Sequence, residues 1–110
     1  MILFEIRKSK IQGFGNFALQ DIEKNTNLGI GLKQINNSGN SDNDFIRYNL
    51  CKYTNHSDEP NIFYRKDNNY YYFYTKRKLI KGEELFIDYN AFDFDGKINF
   101  KNKLKRLKKN

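Results

Sequence analysis

The chain has 110 residues, a formal net charge of +7 at pH 7 and 38% hydrophobic residues, so we expect one small domain with one modest core. Its single cysteine and single histidine exclude an internal disulfide and argue against cysteine- or histidine-rich metal sites. No apolar run is long enough to cross a membrane, the N-terminal sequence is not typical of a signal peptide, and a cytoplasmic location is expected.

The positive charge is concentrated at one end of the chain. Residues 1–96 hold 13 basic and 13 acidic residues, whereas residues 97–110 hold seven basic residues and no acidic one. A neutral body does not suit a nucleic-acid-binding domain, whose interface is usually covered by basic side chains, so nucleic acid is not expected as a partner. The sequence therefore divides into a neutral body and a basic tail.

In chain order, the first half of the sequence predicts short strands separated by turns. Strands are predicted at residues 2–7, 16–19 and 26–30, with a glycine-containing turn at residues 9–15. The polar segment 36–44 predicts a mobile loop, and residues 45–54 predict one or two helical turns.

The second half gives a clearer pattern. Residues 61–66 and 70–76 predict a hairpin around the turn Asp67-Asn68-Asn69, and a strand is predicted at residues 84–88. Alternation along the run Tyr70–Tyr74 is expected to bury about half of these rings, so the run is interpreted as core packing rather than a base-stacking surface.

The basic tail has two interpretations. Phe100, Leu104 and Leu107 recur at helical spacing, which predicts an amphipathic helix that packs on the body and exposes its lysines. Alternatively, the tail docks an acidic substrate or nucleic acid through contacts that salt would weaken.

Three motifs are more informative together than separately. They are GFGNFA at residues 13–18, NHSDEPN at 55–61 and GEELFIDYN at 82–90. Taken alone, each has a plain structural explanation: a glycine turn, a polar surface loop and an amphipathic strand. In this order they resemble the SET domain, a family of S-adenosyl-L-methionine-dependent protein lysine methyltransferases. The resemblance covers about residues 7–90 and is greatest to the small stand-alone SET proteins of bacteria and viruses.

The resemblance implies a mostly β fold. It consists of several small curved sheets, with a C-terminal segment that passes under a preceding loop to form a pseudoknot, and a short C-terminal helix. Residues 1–96 would form the SET domain and residues 97–110 the basic helix or tail. The segment Asn55–Ser57 and the strand ending at Tyr89 would meet at the pseudoknot, and their junction would form the active site.

The resemblance also assigns roles to single residues. Tyr89 matches the catalytic tyrosine, whose hydroxyl orients the substrate amine. Gly13, Phe14 and Gly15 would hold the cofactor through their backbone, and Asn55 and His56 would bind it through a side-chain amide and chiefly a backbone contact, respectively. Glu84 and Asp88 are interpreted as bracing the strand before Tyr89, and no metal is expected.

The substrate channel is less well defined. Its candidate wall residues are Tyr53, Tyr64, Ile87 and Phe92. Ile87 stands where the family often has an aromatic residue, which leaves mono-, di- and trimethylation undecided. The cysteine-rich zinc cluster that closes the channel in many SET enzymes has no counterpart after Tyr89, although Phe92 or Phe94 could replace the missing wall.

The function implied is methyl transfer to a lysine amine of a protein substrate, in the cytoplasm or, for a viral protein, the host cytoplasm. The alternative is a catalytically weak or inactive SET-fold module that binds peptide or nucleic acid through the basic tail. The short segment between the first two motifs, residues 32–47, leaves little chain to shape a substrate groove. A homodimer in which a second subunit completes the groove is therefore also considered, and no membrane partner is expected.

Overall fold

The computed structural model describes residues 2–92, which form a mostly β structure, as predicted. Its elements in chain order are β1 (Phe4–Lys8), β2 (Phe14–Ala18), β3 (Asn27–Gln34), α1 (Ser41–Asp44), β4 (Phe45–Arg47), α2 (Asn49–Lys52), β5 (Asn55–His56), β6 (Ile62–Asp67), β7 (Tyr70–Thr75), β8 (Phe86–Ile87) and a 3-10 helix (Tyr89–Phe92). No helix in this part of the chain is long and apolar enough to span a bilayer. The helix predicted in residues 97–110 lies outside the described residues.

Within residues 2–92 the strands form three small sheets. β1 pairs with β2, four strands pair in the order β4-β3-β7-β6, and β5 pairs with β8. The first two sheets are antiparallel and the third is parallel. Parallel strands need a long crossover connection, and residues 57–85, which contain the β6–β7 hairpin, provide it. The meeting of Asn55 and His56 with the strand before Tyr89 is therefore confirmed.

The β6–β7 hairpin is confirmed, with a tighter turn than predicted. Asp67 pairs with Tyr70 across the strands, so Asn68 and Asn69 alone form the loop. Asn68 has φ 57°, in the left-handed region that asparagine adopts more readily than most residues. The turn residues thus determine where the chain reverses direction between β6 and β7.

The core lies against alternate residues of β7. Tyr71, Phe73 and Thr75 are buried, whereas Tyr70, Tyr72 and Tyr74 are half-buried on the other face of the sheet. The alternation predicted for the tyrosine run is therefore confirmed. The fully buried apolar residues around this face are Leu32, Phe73, Leu79 and Leu85, each with an exposed fraction of 0%.

The segment 36–44 departs from the prediction, because it contains α1 rather than loop alone. Asp44 organises it: its buried carboxylate accepts hydrogen bonds from Ser38 N (2.9 Å), Ser38 Oγ (2.7 Å) and Gly39 N (2.8 Å). Burial opposes ionisation of Asp44, but hydrogen bonds from Ser38, Gly39 and Asn40 outweigh it and lower the pKa of this carboxyl. Polar composition predicted the loop and could not show that one of its carboxylates turns inward.

The helical prediction for residues 45–54 holds only for its second part. Residues 45–47 form β4, which pairs with the end of β3, and α2 begins at Asn49. Phe45 is 5% exposed and its ring contacts that of Tyr71 at a centroid distance of 6.0 Å. The strand therefore forms because Phe45 packs into the core, a tertiary contact that local sequence does not reveal.

Gly31→Ala is expected to destabilise the chain by about 1–3 kcal/mol. A Cβ atom at this position of β3 would lie 2.3 Å from Cε1 of the buried Phe73 ring, and the ring cannot retreat because Phe73 is 0% exposed. Urea unfolding would measure the loss. The double variant Gly31→Ala/Phe73→Leu should be more stable than additivity of the two single changes allows, and simple additivity would contradict the contact.

Candidate active site

The site is built where the second and third motifs meet. Asn55 pairs with Phe86, and Ser57 N donates to Ile87 O at 3.2 Å just beyond the strand pair. Asn61, which ends the second motif, binds the backbone at the start of β8. Its Nδ2 donates to Glu84 O (2.8 Å) and its Oδ1 accepts from Phe86 N (2.7 Å). Both motifs are thus joined by backbone and side-chain hydrogen bonds.

Asn55 is buried, and its side-chain amide reaches back to the turn before β2. Its Nδ2 lies 3.3 Å from Gln12 O, 3.1 Å from Phe14 O and 2.7 Å from Glu84 Oε2. The amide has only two hydrogens, so three acceptors compete for them. The other amide atom, Oδ1, is buried and has no hydrogen-bond partner in the described part of the chain. Within residues 2–92 the amide therefore combines fully used donors with an unused acceptor.

Glu84 links this amide to the N-terminal hairpin. Ser9 Oγ donates to Glu84 Oε1 at 2.9 Å, across 75 residues of sequence, while Glu84 Oε2 accepts from Asn55. Glu84 therefore braces the strand before Tyr89, as the sequence analysis proposed. The brace needs glycine at position 15, because a Cβ there would lie 2.3 Å from Glu84 Oε2 and 3.2 Å from Asn55 Nδ2.

The three residues of the first motif take different positions. Gly13 is exposed with φ 49°, Phe14 begins β2 and is 55% exposed, and Gly15 is buried beneath Glu84. Of these three residues, Phe14 is the one whose carbonyl accepts from Asn55 in the hydrogen bonds described above. The backbone contacts of this motif to a cofactor stay predictions.

His56 contacts Tyr89 through its ring. Tyr89 N donates to His56 Nδ1 at 3.0 Å, and His56 Nε2 lies 3.0 Å from Asp58 Oδ1. Asp88 Oδ1 is 3.7 Å from Nδ1. The possible ligand atoms of His56, Asp58 and Asp88 lie within 4.8 Å of one another, but both ring nitrogens already face hydrogen-bond partners. Hydrogen bonding therefore accounts for this cluster.

Tyr89 directly follows β8 and Asp88, and it is 2% exposed. Its hydroxyl donates to the carbonyl of Thr54 at 2.9 Å. Burial, together with the neighbouring Cys51 thiol, raises the pKa of the Tyr89 hydroxyl well above its ordinary value. Tyr89 is therefore a neutral hydroxyl held in one position, which suits orienting a reacting group better than removing a proton from it.

The raised pKa of Tyr89 predicts a specific loss of stability at alkaline pH. Unfolded tyrosine ionises near pH 10, and the folded chain holds this proton more tightly, so the free energy of unfolding should fall as pH rises above about 10. Tyr89→Phe removes this contribution. Urea unfolding from about pH 9 to 11 should show the stability advantage of the original chain over Tyr89→Phe shrinking, whereas parallel pH dependences would contradict the raised pKa.

The four candidate channel residues differ in burial and in the elements that carry them. Tyr53 caps the end of α2 and is half-buried. The half-buried ring of Tyr64 lies against core residue Tyr71 at a centroid distance of 5.3 Å, and burial raises its pKa. Ile87 is 2% exposed within the core. Phe92 ends the 3-10 helix, and its side chain lies outside the described part. Their lining of a channel stays a prediction.

The sequence analysis missed Thr54 and Asn16, which hold the Tyr89 hydroxyl in place through hydrogen bonds. Thr54 supplies the carbonyl for its hydroxyl, and Asn16 Nδ2 donates to Thr54 Oγ1 (3.0 Å) and Leu50 O (3.2 Å). Asn16 is 0% exposed. Its position inside the first motif, GFGNFA, could have marked it as part of the site. The contact of Thr54 is made by its backbone and has no signature in sequence.

Comparisons with known proteins agree with this arrangement. The SET domain family matches residues 32–90, which is more than half of the chain. A curated relative, the "Putative SET domain-containing protein L678" of Acanthamoeba polyphaga mimivirus, is 34% identical over 86 residues, 77% of this chain. The chain spans 33%, about a third, of that relative's length.

A solved structure is also similar. It is that of a Plasmodium falciparum protein named as a "putative histone methyltransferase", with a TM-score of 0.63 and 25% sequence identity. The match covers 81% of this chain and 94% of that one. Together with the junction of β5 and β8, these matches show that the chain belongs to the SET domain family.

Proposed function

We propose that the chain is an S-adenosyl-L-methionine-dependent methyltransferase that acts on the lysine side-chain amine of a protein. The observation that carries the proposal is the parallel pairing of β5 with β8, which joins Asn55 and His56 to the buried Tyr89 hydroxyl. These are the residues to which membership of the SET family assigns cofactor binding and catalysis. The name of the structurally similar protein, a putative histone methyltransferase, makes core histones a first probe.

The residues around Asn55 fit the amino-acid end of the cofactor. Asn55 Oδ1, which has no hydrogen-bond partner among residues 2–92, lies on the same amide whose Nδ2 contacts the carbonyls of Gln12 and Phe14. Oxygen acceptors of this kind suit an ammonium group, which can only donate. A buried acceptor without a partner costs about 1–3 kcal/mol, and a donor from a ligand would offset that cost. When bound, the cofactor supplies a methyl group activated on a sulfonium.

The substrate amine must be neutral to attack that methyl group. A lysine side chain ordinarily has a pKa near 10.4, and burial among apolar groups disfavours its charged form. Tyr89 belongs to the buried core cluster together with Cys51 and Ile87, so a lysine that reaches its hydroxyl enters a low-dielectric environment. The surroundings of Tyr89 therefore favour the reactive form of the amine.

Tyr89 would orient the amine rather than deprotonate it. Its hydroxyl hydrogen is directed to Thr54 O, which leaves lone pairs on the hydroxyl oxygen to accept an N–H from the amine. Holding the amine in line with the methyl group lowers the activation barrier of the transfer, because the reacting atoms are already oriented. Because the pKa of Tyr89 is raised, the proton of a lysine ammonium must leave by another route.

The full chain incubated with methyl-labelled cofactor should transfer label to recombinant core histones or to proteins of a cytoplasmic extract. Calorimetry should detect binding of the cofactor by the same preparation. If the chain binds no cofactor, the enzyme proposal is wrong. Binding without transfer to either substrate preparation would favour the alternative of a SET-fold binding module.

A further inference from the structure

We propose that the His56 side chain positions Tyr89, and that protonation of its Nδ1 atom releases Tyr89 at acidic pH. This inference rests on the proposed function and deepens it, because it gives the enzyme a built-in pH dependence that is separate from the titration of the substrate amine. It also differs from the chiefly backbone contact with the cofactor that the family resemblance assigns to His56.

Tyr89 is held at two points by one short segment of chain. Its hydroxyl donates to the carbonyl of Thr54 at 2.9 Å, and its backbone N–H donates to His56 Nδ1 at 3.0 Å. Thr54 and His56 flank Asn55, whose backbone is fixed by pairing with β8. The distance between the predicted cofactor contact at Asn55 and the Tyr89 hydroxyl therefore depends on both hydrogen bonds.

The hydrogen bond from Tyr89 N fixes the protonation of the ring. A backbone N–H can only donate, so Nδ1 must carry a lone pair and no proton. The proton of neutral His56 is then on Nε2, which donates to Asp58 Oδ1 at 3.0 Å. Asp58 thus selects the tautomer that Tyr89 needs.

A second proton on the ring would reverse the contact. In the described part of the chain, the titratable groups facing His56 are Asp58, Asp88 and the Tyr89 ring, whose centroid lies 5.1 Å away. Protonated Nδ1 would face the Tyr89 N–H donor to donor, while Asp88 Oδ1, 3.7 Å away, would attract it. Protonation of Nδ1 would therefore move the hydrogen bond from Tyr89 to Asp88.

The shift would reach the helix that carries Tyr89. Asp88 Oδ1, the atom that would accept a hydrogen bond from protonated Nδ1, already accepts from Asn90 N at 2.9 Å. A new bond from His56 would compete with this contact at the start of the 3-10 helix.

His56→Asn is the decisive variant, because the asparagine side-chain oxygen can replace Nδ1 as an acceptor but does not titrate. NMR of the 15N-labelled full chain at about pH 8 should show His56 Nδ1 unprotonated and Nε2 protonated. The Tyr89 amide resonance should then shift with the same midpoint as the His56 ring, and should lose that shift in His56→Asn. A protonated Nδ1 at this pH, or an unchanged titration of the Tyr89 amide in His56→Asn, would overturn the proposal.

Kinetics provide a second test with core histones as the substrate. The ratio of kcat for the original chain to kcat for His56→Asn should fall severalfold from about pH 8 to about pH 6, because titration of the substrate amine affects both proteins equally and cancels. His56→Ala should lower kcat about 100-fold while KM changes much less, since it mispositions Tyr89. Coincident pH profiles of the original chain and His56→Asn would overturn the proposal. If no methyl is transferred, the proposed function fails, and the NMR result still decides the role of His56.

Discussion

Tyr89→Phe is expected to lower the rate of methyl transfer at least about 100-fold while the chain still folds and binds the cofactor. The substitution removes only the hydroxyl, whose described hydrogen bond is to Thr54 O, and it leaves the ring in the core. The Asn55 amide and its contacts with Gln12 and Phe14 are untouched. Label transfer to lysine and calorimetry on the same preparations would separate catalysis from cofactor binding.

A modest loss of stability is expected in the same variant, because Thr54 O loses its donor, at a cost of about 1 kcal/mol. Tyr74→Phe provides a control, since it also removes one tyrosine hydroxyl, from a half-buried position on β7. This control should transfer methyl groups at the original rate. If Tyr89→Phe keeps a rate within about threefold of the original, the hydroxyl does not orient the amine.

Asn55→Asp is expected to lower the free energy of unfolding by about 3 kcal/mol and to weaken cofactor binding, because the carbonyls near the ammonium lose the amide that positions them. The change replaces an amide donor by a carboxylate oxygen of nearly the same shape. At 2.7 Å from Glu84 Oε2, two negatively charged oxygens would face each other, and the Gln12 and Phe14 carbonyls would lose their donor. Urea unfolding and calorimetry would measure the two effects.

The double variant Asn55→Asp/Glu84→Gln tests the cause of that loss. A glutamine amide at position 84 can donate to the new carboxylate, so about half of the lost stability should return. Full recovery is not expected, because Gln12 O and Phe14 O still lack a donor. Equal stability of Asn55→Asp and the original chain would contradict the hydrogen-bond network around Asn55.

The parts of the fold that the sequence predicted are those specified locally. The hairpin at Asn68 follows from turn residues and alternation, and the burial of Tyr71 and Phe73 follows from the period of a strand. The end of β3 and the strand at Phe45 depend on their mutual pairing and on the contact of Phe45 with the distant Tyr71. The short helix at Asp44 depends on the inward turn of this carboxylate toward Ser38 and Gly39. Such contacts have no signature in the local sequence.

The candidate site divides in the same way. Asn55, His56 and Tyr89 were recognised from their motifs, and the structure brings them together through one parallel strand pair. The brace of Glu84 by Ser9 spans 75 residues, and the acceptor for the Tyr89 hydroxyl is a backbone carbonyl. Side-chain chemistry could be inferred from the sequence, but the partners that orient it required the folded chain.

The central claim is that the junction of β5 and β8 directs a methyl group to a lysine amine. Its most direct test is mass spectrometry of core histones, digested after incubation with the full chain and S-adenosyl-L-methionine, to identify the residue that carries the methyl group. We predict methyl-lysine that depends on Tyr89 and is absent without the chain. Methylation of a residue other than lysine, or lysine methylation that persists undiminished in Tyr89→Phe, would contradict the claim.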